Sequence, residues 1–251
     1  MRVRKNIRDL DQDEVYRLRQ AFEALYADPN QRFQSFAKIL LNDGHATRND
    51  LDFLTWNRAF FWAFENLLVA QDASLALPYW DYTEPESIKS GLPDILTELT
   101  YNDPNDPNTP LKANPLHHGF GMSKLITYRE TKAPAGLALA REIATKALTM
   151  TDYPAYSIAF YPADVVSHAW IGGSLTDLHA APFDPLFWFS HCNLDRYWNL
   201  WQQGYSDLGA SSMPLTVLGA KLKPFKLNDS GDFLTGQMVL NTTDLDYQYG
   251  G

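Results

Sequence analysis

The chain has 251 residues, 45% of them hydrophobic and 14% aromatic, which is enough apolar material for a large core and far from any disordered or collagen-like composition. Thirty Asp and Glu against 21 Lys and Arg give a formal net charge of -9, so a phosphate-backbone partner would be held against the overall field and nucleic-acid binding is not expected. No break in composition divides the chain into self-sufficient halves, and residues 1–251 read as one domain.

From the start, Met1 to Asp13 is charged throughout and lacks the apolar stretch of a secretory signal. The longest apolar region, Ala59 to Ala70, is too short to span a bilayer and contains Glu65. Cys192 is the single cysteine and has no intrachain partner, which agrees with a reducing compartment. A cytoplasmic protein without a membrane partner is therefore expected, with Cys192 as a small buried thiol.

Asp11 followed by Glu14 has the form of a capping box, and Val15, Leu18, Phe22 and Leu25 recur at helical spacing, which predicts a helix to about Asp28. Further helices are predicted over Phe33–Leu41, Phe53–Ala70, Leu137–Leu148, a short stretch around Tyr161–Trp170, and Pro185–Gln203. Between Leu77 and Pro134 the density of Pro, Asn and Asp reads as surface loop, of the kind that often covers a site. From Gly204 onward, Gly, Pro, Ser and short apolar runs predict extended segments and turns. The fold class is mainly α, with long loops and few short strands.

Asp164 and His168 stand four residues apart in a predicted helix, so their side chains share a face. An ordinary hydrogen-bonded pair has the same spacing. His191, near the start of the next predicted helix, would close a set of two imidazoles and one carboxylate from a facing helix. Three ligands with a fourth position open suit a catalytic zinc, and the same donors suit the facial triad of non-haem iron(II).

Several runs carry a resemblance over nearly the whole chain: Val3-Arg4-Lys5-Asn6, Phe53-Leu54-Thr55-Trp56-Asn57-Arg58 with Phe64-Glu65, Leu77-Pro78-Tyr79-Trp80-Asp81-Tyr82, Asn114-Pro115, Asp164 to Gly173, Phe183 to Arg196, and Tyr247-Gln248-Tyr249. Together they resemble the tyrosinase and hemocyanin family. The resemblance implies a four-helix-bundle core. It also implies a single core domain lacking the family's C-terminal shielding domain, because the closing Tyr motif lies at the end. Arg4 is expected to stack on Tyr247 or Tyr249.

The resemblance places Leu40, Arg48 and Asn57 where the family's first copper has its three histidines, with His45 as an alternative to Arg48. At the second copper the matching positions are Asp164, His168 and His191. Ser190 stands for the usual His before the third ligand, and Val165 for an Asn that helps deprotonate phenols. Without a copper pair, phenol oxidation and oxygen carriage are not expected.

Among the branches of this family, the chain resembles the fungal zinc-dependent cyclopenases. That implies one Zn2+ per chain and an aromatic small-molecule substrate. The implied reaction is ring contraction of a cyclopenin-type benzodiazepinedione epoxide to a viridicatin-type quinolone, with loss of methyl isocyanate. Arg48 would serve as an anion or carbonyl clamp, and Asn57 as a neutral hydrogen-bond donor. The alternatives are a mononuclear iron or copper oxidoreductase on an aromatic metabolite and a non-catalytic binding protein. His179 is expected in an exposed loop, where it would either stay in solvent or join the site, and His117 and His118 are expected at the surface. Asp81, Asp184, Arg58 and Asp195 read as helix-end or ion-pair groups. Of Trp56, Phe60, Phe61, Phe64, Phe187 and Trp188, most read as core, with one or two free to face the metal.

Overall fold

In the computed structural model, residues 1–42, 51–106, 108–121, 125–205, 212–227 and 231–250 are described. The Asp11 carboxylate accepts from the Glu14 N–H, and the Glu14 side chain accepts from the Asp11 N–H, so two orphan donors of helix α1 (Gln12–Ala27) are satisfied reciprocally. Asp11→Ala is expected to cost about 1 kcal/mol, read as a lowered urea midpoint at unchanged slope. Leu18, Phe22 and Leu25 form its buried stripe.

The helix predicted over Phe33–Leu41 is interrupted. Helix α2 (Arg32–Ala37) ends at Lys38, whose N–H turns back to Gln34 and Phe36 carbonyls, and a short turn, Ile39–Asn42, follows. Segments this short gain little from helix propagation and hold their shape by packing. Helix α3 (Phe53–Val69) buries residues around most of its circumference, as a helix at the centre of a core must.

Helices α4 (Ala138–Ala147), α5 (Tyr153–Ile171) and α6 (Pro185–Gly204) follow. The short helix predicted around Tyr161–Trp170 is in fact the C-terminal half of α5, which has 19 residues. Pro162 conceals this in the sequence, since it has no N–H to give the Ile158 carbonyl. The helix continues through it because Tyr156, Phe160 and Ala163 on either side are buried against α6 and its surroundings. Asp152 caps its start by accepting from the Ala155 N–H. Asp184 caps α6 by accepting from the Leu186 N–H, with Pro185 at the first helical position.

Helix α3 packs against α1 and α6, and α6 against α5, giving the four-helix core, while α4 lies on α5. Aromatic rings fill the centre: Phe64 stacks on Trp188 at 3.9 Å between centroids, and Phe60 tilts onto the same indole at 4.9 Å. The region predicted as loop between Leu77 and Pro134 carries short helices, Pro85–Ser90 and Asp94–Thr97, and a two-stranded ribbon. The ribbon pairs β2 (Thr100–Tyr101) with β3 (Lys112–Ala113) antiparallel. The tail is extended and turned as expected, with β4 (Lys221–Lys226) antiparallel to β5 (Phe233–Thr235) and a short helix, Leu215–Leu218.

The chain's beginning and end are tied together. Strand β1 (Arg2–Arg4) pairs in parallel with β6 (Tyr247–Tyr249), and the Arg4 guanidinium lies 3.5 Å from the Tyr247 ring centroid. Arg4 also donates to both Glu65 oxygens at 3.0 Å and to Asp195 at 3.2 Å, all fully buried. Arg58 pairs with the other Asp195 oxygen, and Asp81 with Arg196. Arg58, Asp81 and Asp195 are thus ion-pair groups. Among the described residues no helix is long and apolar enough to cross a membrane.

Candidate metal centre

Helix α5 carries Asp164 and His168 one turn apart on its buried side, and helix α6 brings His191 to meet them. The link between the two helices depends on Gly172 and Gly173, which take φ values of 68° and 54°. A Cβ on Gly172 would come within 2.7 Å of the Glu130 carbonyl oxygen, so the sharp exit from α5 needs glycine there.

One ligand atom from each of the three side chains lies within 4.8 Å of the others. The His191 Nε2 is 3.8 Å from one Asp164 oxygen, and the His168 Nε2 is 3.9 Å from the other. Side-chain exposure of 8% for Asp164 and His191 and 15% for His168 makes the cluster nearly buried while still meeting solvent.

The protonation pattern follows from the neighbours. The His168 Nδ1 is 2.6 Å from the Leu175 carbonyl, and the His191 Nδ1 is 2.9 Å from the Phe187 carbonyl. A carbonyl only accepts, so both Nδ1 atoms carry the hydrogen and both neutral imidazoles present an Nε2 lone pair. Those two Nε2 atoms face each other at 3.3 Å. Burial, partly offset by the Asp164 charge, pushes His191 down to about 4, so His191 brings no second proton to the contact at neutral pH. One oxygen of Asp164, Oδ1, is buried and accepts no hydrogen bond.

Two lone pairs and an unpartnered carboxylate oxygen thus converge with no donor between them. A cation answers all three. The separation of 3.3 Å is about that of two nitrogens on one tetrahedral zinc, while the carboxylate distances are roughly half an ångström wider. The backbone carbonyls that fix both tautomers are the outer partners that ligating histidines need. No sequence pattern announces them, because the acceptors are main-chain atoms.

Aromatic rings wall the cluster. Phe187 lies 4.0 Å from the His191 ring centroid, and Phe61 of α3 lies 5.8 Å away. Of the six candidate aromatics, these two approach His191, whereas Trp56, Phe60, Phe64 and Trp188 pack in the core. Asn57, one turn before Phe61, is buried and donates its amide to the Phe53 carbonyl at 2.8 Å. Leu40 is buried in the core. Arg48 and His45 lie outside the described residues.

The other histidines stand apart. His179 is exposed, and its N–H donates to the Asp177 carboxylate. His117 and His118, expected at the surface, are half-buried, with Nδ1 atoms 3.1 Å apart, because the loop folds back so that His118 meets Phe120. Ser190 donates to the Phe187 carbonyl, Val165 is exposed, and Cys192 is a buried free thiol.

The chain belongs to the tyrosinase family, matching its common central domain over residues 24–151 and 166–204, and so to the superfamily that joins tyrosinases and hemocyanins. It is 28% identical over 255 residues to the hemocyanin G-type, units Oda to Odg, of Enteroctopus dofleini, covering 90% of this chain and 9% of that one. A tyrosinase of Streptomyces lincolnensis is 27% identical over 285 residues, covering 96% of this chain and all of the relative. The solved functional unit of octopus hemocyanin superposes with a TM-score of 0.79 at 26% identity, covering 100% of this chain and 68% of that one. The chain spans 6–9% of the first hemocyanins it matches.

Proposed function

We propose that Asp164, His168 and His191 hold one divalent metal ion, zinc, and that the protein is a single-metal enzyme acting on a small aromatic molecule. The observation that carries this is the pair of imidazole Nε2 atoms facing each other at 3.3 Å, both with hydrogen on the far nitrogen, beside a buried carboxylate oxygen without a donor. A copper pair is not supported by the histidines available. Of six in the chain, His168 and His191 belong to this cluster, and the positions that resemble the first-copper ligands carry Leu40, Arg48 or His45, and Asn57, so at most one histidine is available there.

A bound zinc would supply Lewis-acid polarisation of a substrate carbonyl or epoxide oxygen without a change of oxidation state. Everything else falls to the chain. Leu175 and Phe187 carbonyls hold the two imidazoles in the ligating tautomer, and Asp164 contributes the negative charge. Phe61 and Phe187 are buried beside His191, and their burial keeps water scarce beside the cluster. Asn57 on the same stretch of α3 is assigned as a neutral hydrogen-bond donor, and Arg48 as a clamp for a carbonyl or developing anion. A positioned acid or base that moves a proton contributes about 10²–10⁴-fold in rate.

The specific reaction we assign is a cyclopenase-type lyase step, contraction of a benzodiazepinedione epoxide to a quinolone with loss of methyl isocyanate. It rests on the combination of a one-metal donor set with a family core whose first-metal positions carry Leu40 and Asn57. A second reading, a mononuclear iron or copper oxidoreductase, draws on the same two-histidine, one-carboxylate set and on the tyrosinase relatives.

Elemental mass spectrometry on protein purified without added metal tests the assignment. About one zinc per chain with negligible copper is expected, together with conversion of a cyclopenin-type epoxide that stops on chelation and returns with zinc. Two coppers per chain would defeat the one-metal reading, and oxygen uptake dependent on one iron or copper would replace the lyase with the oxidoreductase. Retention of no metal would leave a binding protein.

A further inference from the structure

Arg129 falls in the region that the sequence presents as surface loop, yet its side chain is only 7% exposed and reaches three separate parts of the chain. It donates to Asp184 Oδ1 at 2.6 and 3.0 Å and to Oδ2 at 3.2 Å, to the Leu96 carbonyl at 3.0 Å and to the Leu116 carbonyl at 2.9 Å. The Asp184 carboxylate is fully buried and also accepts from the Thr127 hydroxyl at 2.8 Å and from the Leu186 N–H at 2.9 Å, the bond that caps α6. A buried ion pair is often no more stabilising than apolar residues of the same volume. What a guanidinium fork on a carboxylate supplies is direction, because its donors are rigid and coplanar.

On either side of Arg129 the main chain is zipped to the exit of α5. The Lys132 and Glu130 N–H groups donate to the Trp170 and Ile171 carbonyls at 3.0 and 2.9 Å, and the Ser174 N–H donates to the Tyr128 carbonyl at 2.9 Å. The Tyr128 N–H returns a bond to Ser174 Oγ at 3.1 Å. The approach is close: a Cβ on Gly173 would come within 2.4 Å of the Tyr128 carbonyl oxygen. Directly after Ser174 stands Leu175, whose carbonyl takes the hydrogen of His168 Nδ1.

Residues 127–132 therefore join the two ends of the connection between the helices. At one end is the turn that presents the Leu175 carbonyl to His168, and at the other the carboxylate that begins α6. His191 differs, because its acceptor, the Phe187 carbonyl, lies one turn earlier in its own helix. We infer that Arg129 is a positioning residue for His168, anchoring residues 127–132 on Asp184 so that the Leu175 carbonyl holds the imidazole with its Nε2 turned toward His191. The service this gives to a bound ion rests on the metal reading above, whereas the hold on the imidazole does not.

The test uses chelator-stripped wild type, Arg129→Lys, Ser174→Ala and Arg4→Lys, labelled with nitrogen-15 at histidine, observed by NMR and then titrated with Zn2+. His168→Gln assigns the His168 signals. Arg129→Lys keeps a positive charge beside Asp184 but loses the fork, and Ser174→Ala removes only the acceptor of the Tyr128 N–H. Arg4→Lys makes the same exchange in a buried ion pair whose partners are Glu65 and Asp195, and so reports general loosening.

In stripped wild type His168 is expected as the Nδ1–H tautomer alone. Its signals are expected to shift to those of mixed tautomers in Arg129→Lys, and by less in Ser174→Ala, with His191 unmoved. Zn2+ affinity is expected to fall about ten- to a hundredfold in Arg129→Lys, the usual cost of disturbing an outer partner, and to stay at the wild-type value in Arg4→Lys. Unchanged His168 signals in Arg129→Lys, or in Ser174→Ala should the first variant fail to fold, would overturn the inference. Mixed tautomers in wild type, or the same shift in Arg4→Lys, would overturn it as well. Wild type that binds no Zn2+ while His168 behaves as expected would remove the metal reading and leave Arg129 as the anchor of the imidazole.

Discussion

Asp164→Ala protein is expected to fold, to retain no metal and to lose turnover. The two imidazoles alone leave the ion one ligand short and without a counter-charge, so affinity should fall by more than about a hundredfold, beyond what loss of an outer partner produces. Stability in metal-free buffer should change little, because the substitution removes a buried oxygen that accepts no hydrogen bond. Added zinc should raise the melting temperature of wild type and leave that of the variant unmoved, since only a folded state with a site gains from the ligand. Elemental analysis and paired melting curves with and without chelator read both effects. Full activity in metal-free Asp164→Ala protein would sink the mechanism.

The second large effect is structural. Asp195→Ala is expected to cost about 3–5 kcal/mol, because it leaves buried Arg58 without its carboxylate and takes one of two carboxylate partners from Arg4. The Tyr247 and Tyr249 hydroxyls, each donating to Asp195 at 2.6 Å, lose their acceptor as well. Against the roughly 5–15 kcal/mol by which a domain is stable, that is a large fraction. Urea denaturation would report it as a collapse of the midpoint, and an unchanged midpoint would mean the network contributes nothing.

The same carboxylate gives a pH dependence of definite sign. Burial works against its charge, but Arg58, Arg4 and the two tyrosine hydroxyls outweigh it and hold the Asp195 pKa below the ordinary value. A depressed folded-state pKa contributes stability that is fully present above the unfolded carboxylate's pKa, about 3.9, and is withdrawn as pH falls through the folded value. Wild type should therefore lose this contribution only in strong acid. In Asp195→Ala that component of the acid limb should be missing.

Much of the architecture is written in local chemistry. The Asp11–Glu14 box, the apolar period of α1, the buried run of α3 and the Asp184-Pro185 entry to α6 are each decided by neighbours within a turn or two, and the structure has them where the pattern puts them. Where local rules conflict with packing they mislead. Pro162 marks a helix break by its missing N–H, yet α5 runs through it because buried Tyr156, Phe160 and Ala163 hold the helix on both sides. His117 and His118 look like surface loop residues, but His118 packs on Phe120, whose ring meets Tyr26 of α1 edge-on.

The same division holds at the candidate site. The four-residue spacing of Asp164 and His168, and the presence of His191 in the following helix, are properties of the sequence, because a helical period alone puts the first two on one face. The resemblance, also read from the sequence alone, places Leu40 and Asn57 where the family's first copper has histidines. Only the tertiary structure decides that His191 arrives 3.3 Å from His168, since that distance depends on the glycine turn after α5 and on α6 packing against it. It alone decides the tautomers as well, through carbonyls of Leu175 and Phe187 that no side-chain pattern encodes, and it alone leaves the Asp164 Oδ1 buried without a donor. Spacing along the chain determines which groups share a helix face, whereas packing between helices determines which lone pairs meet.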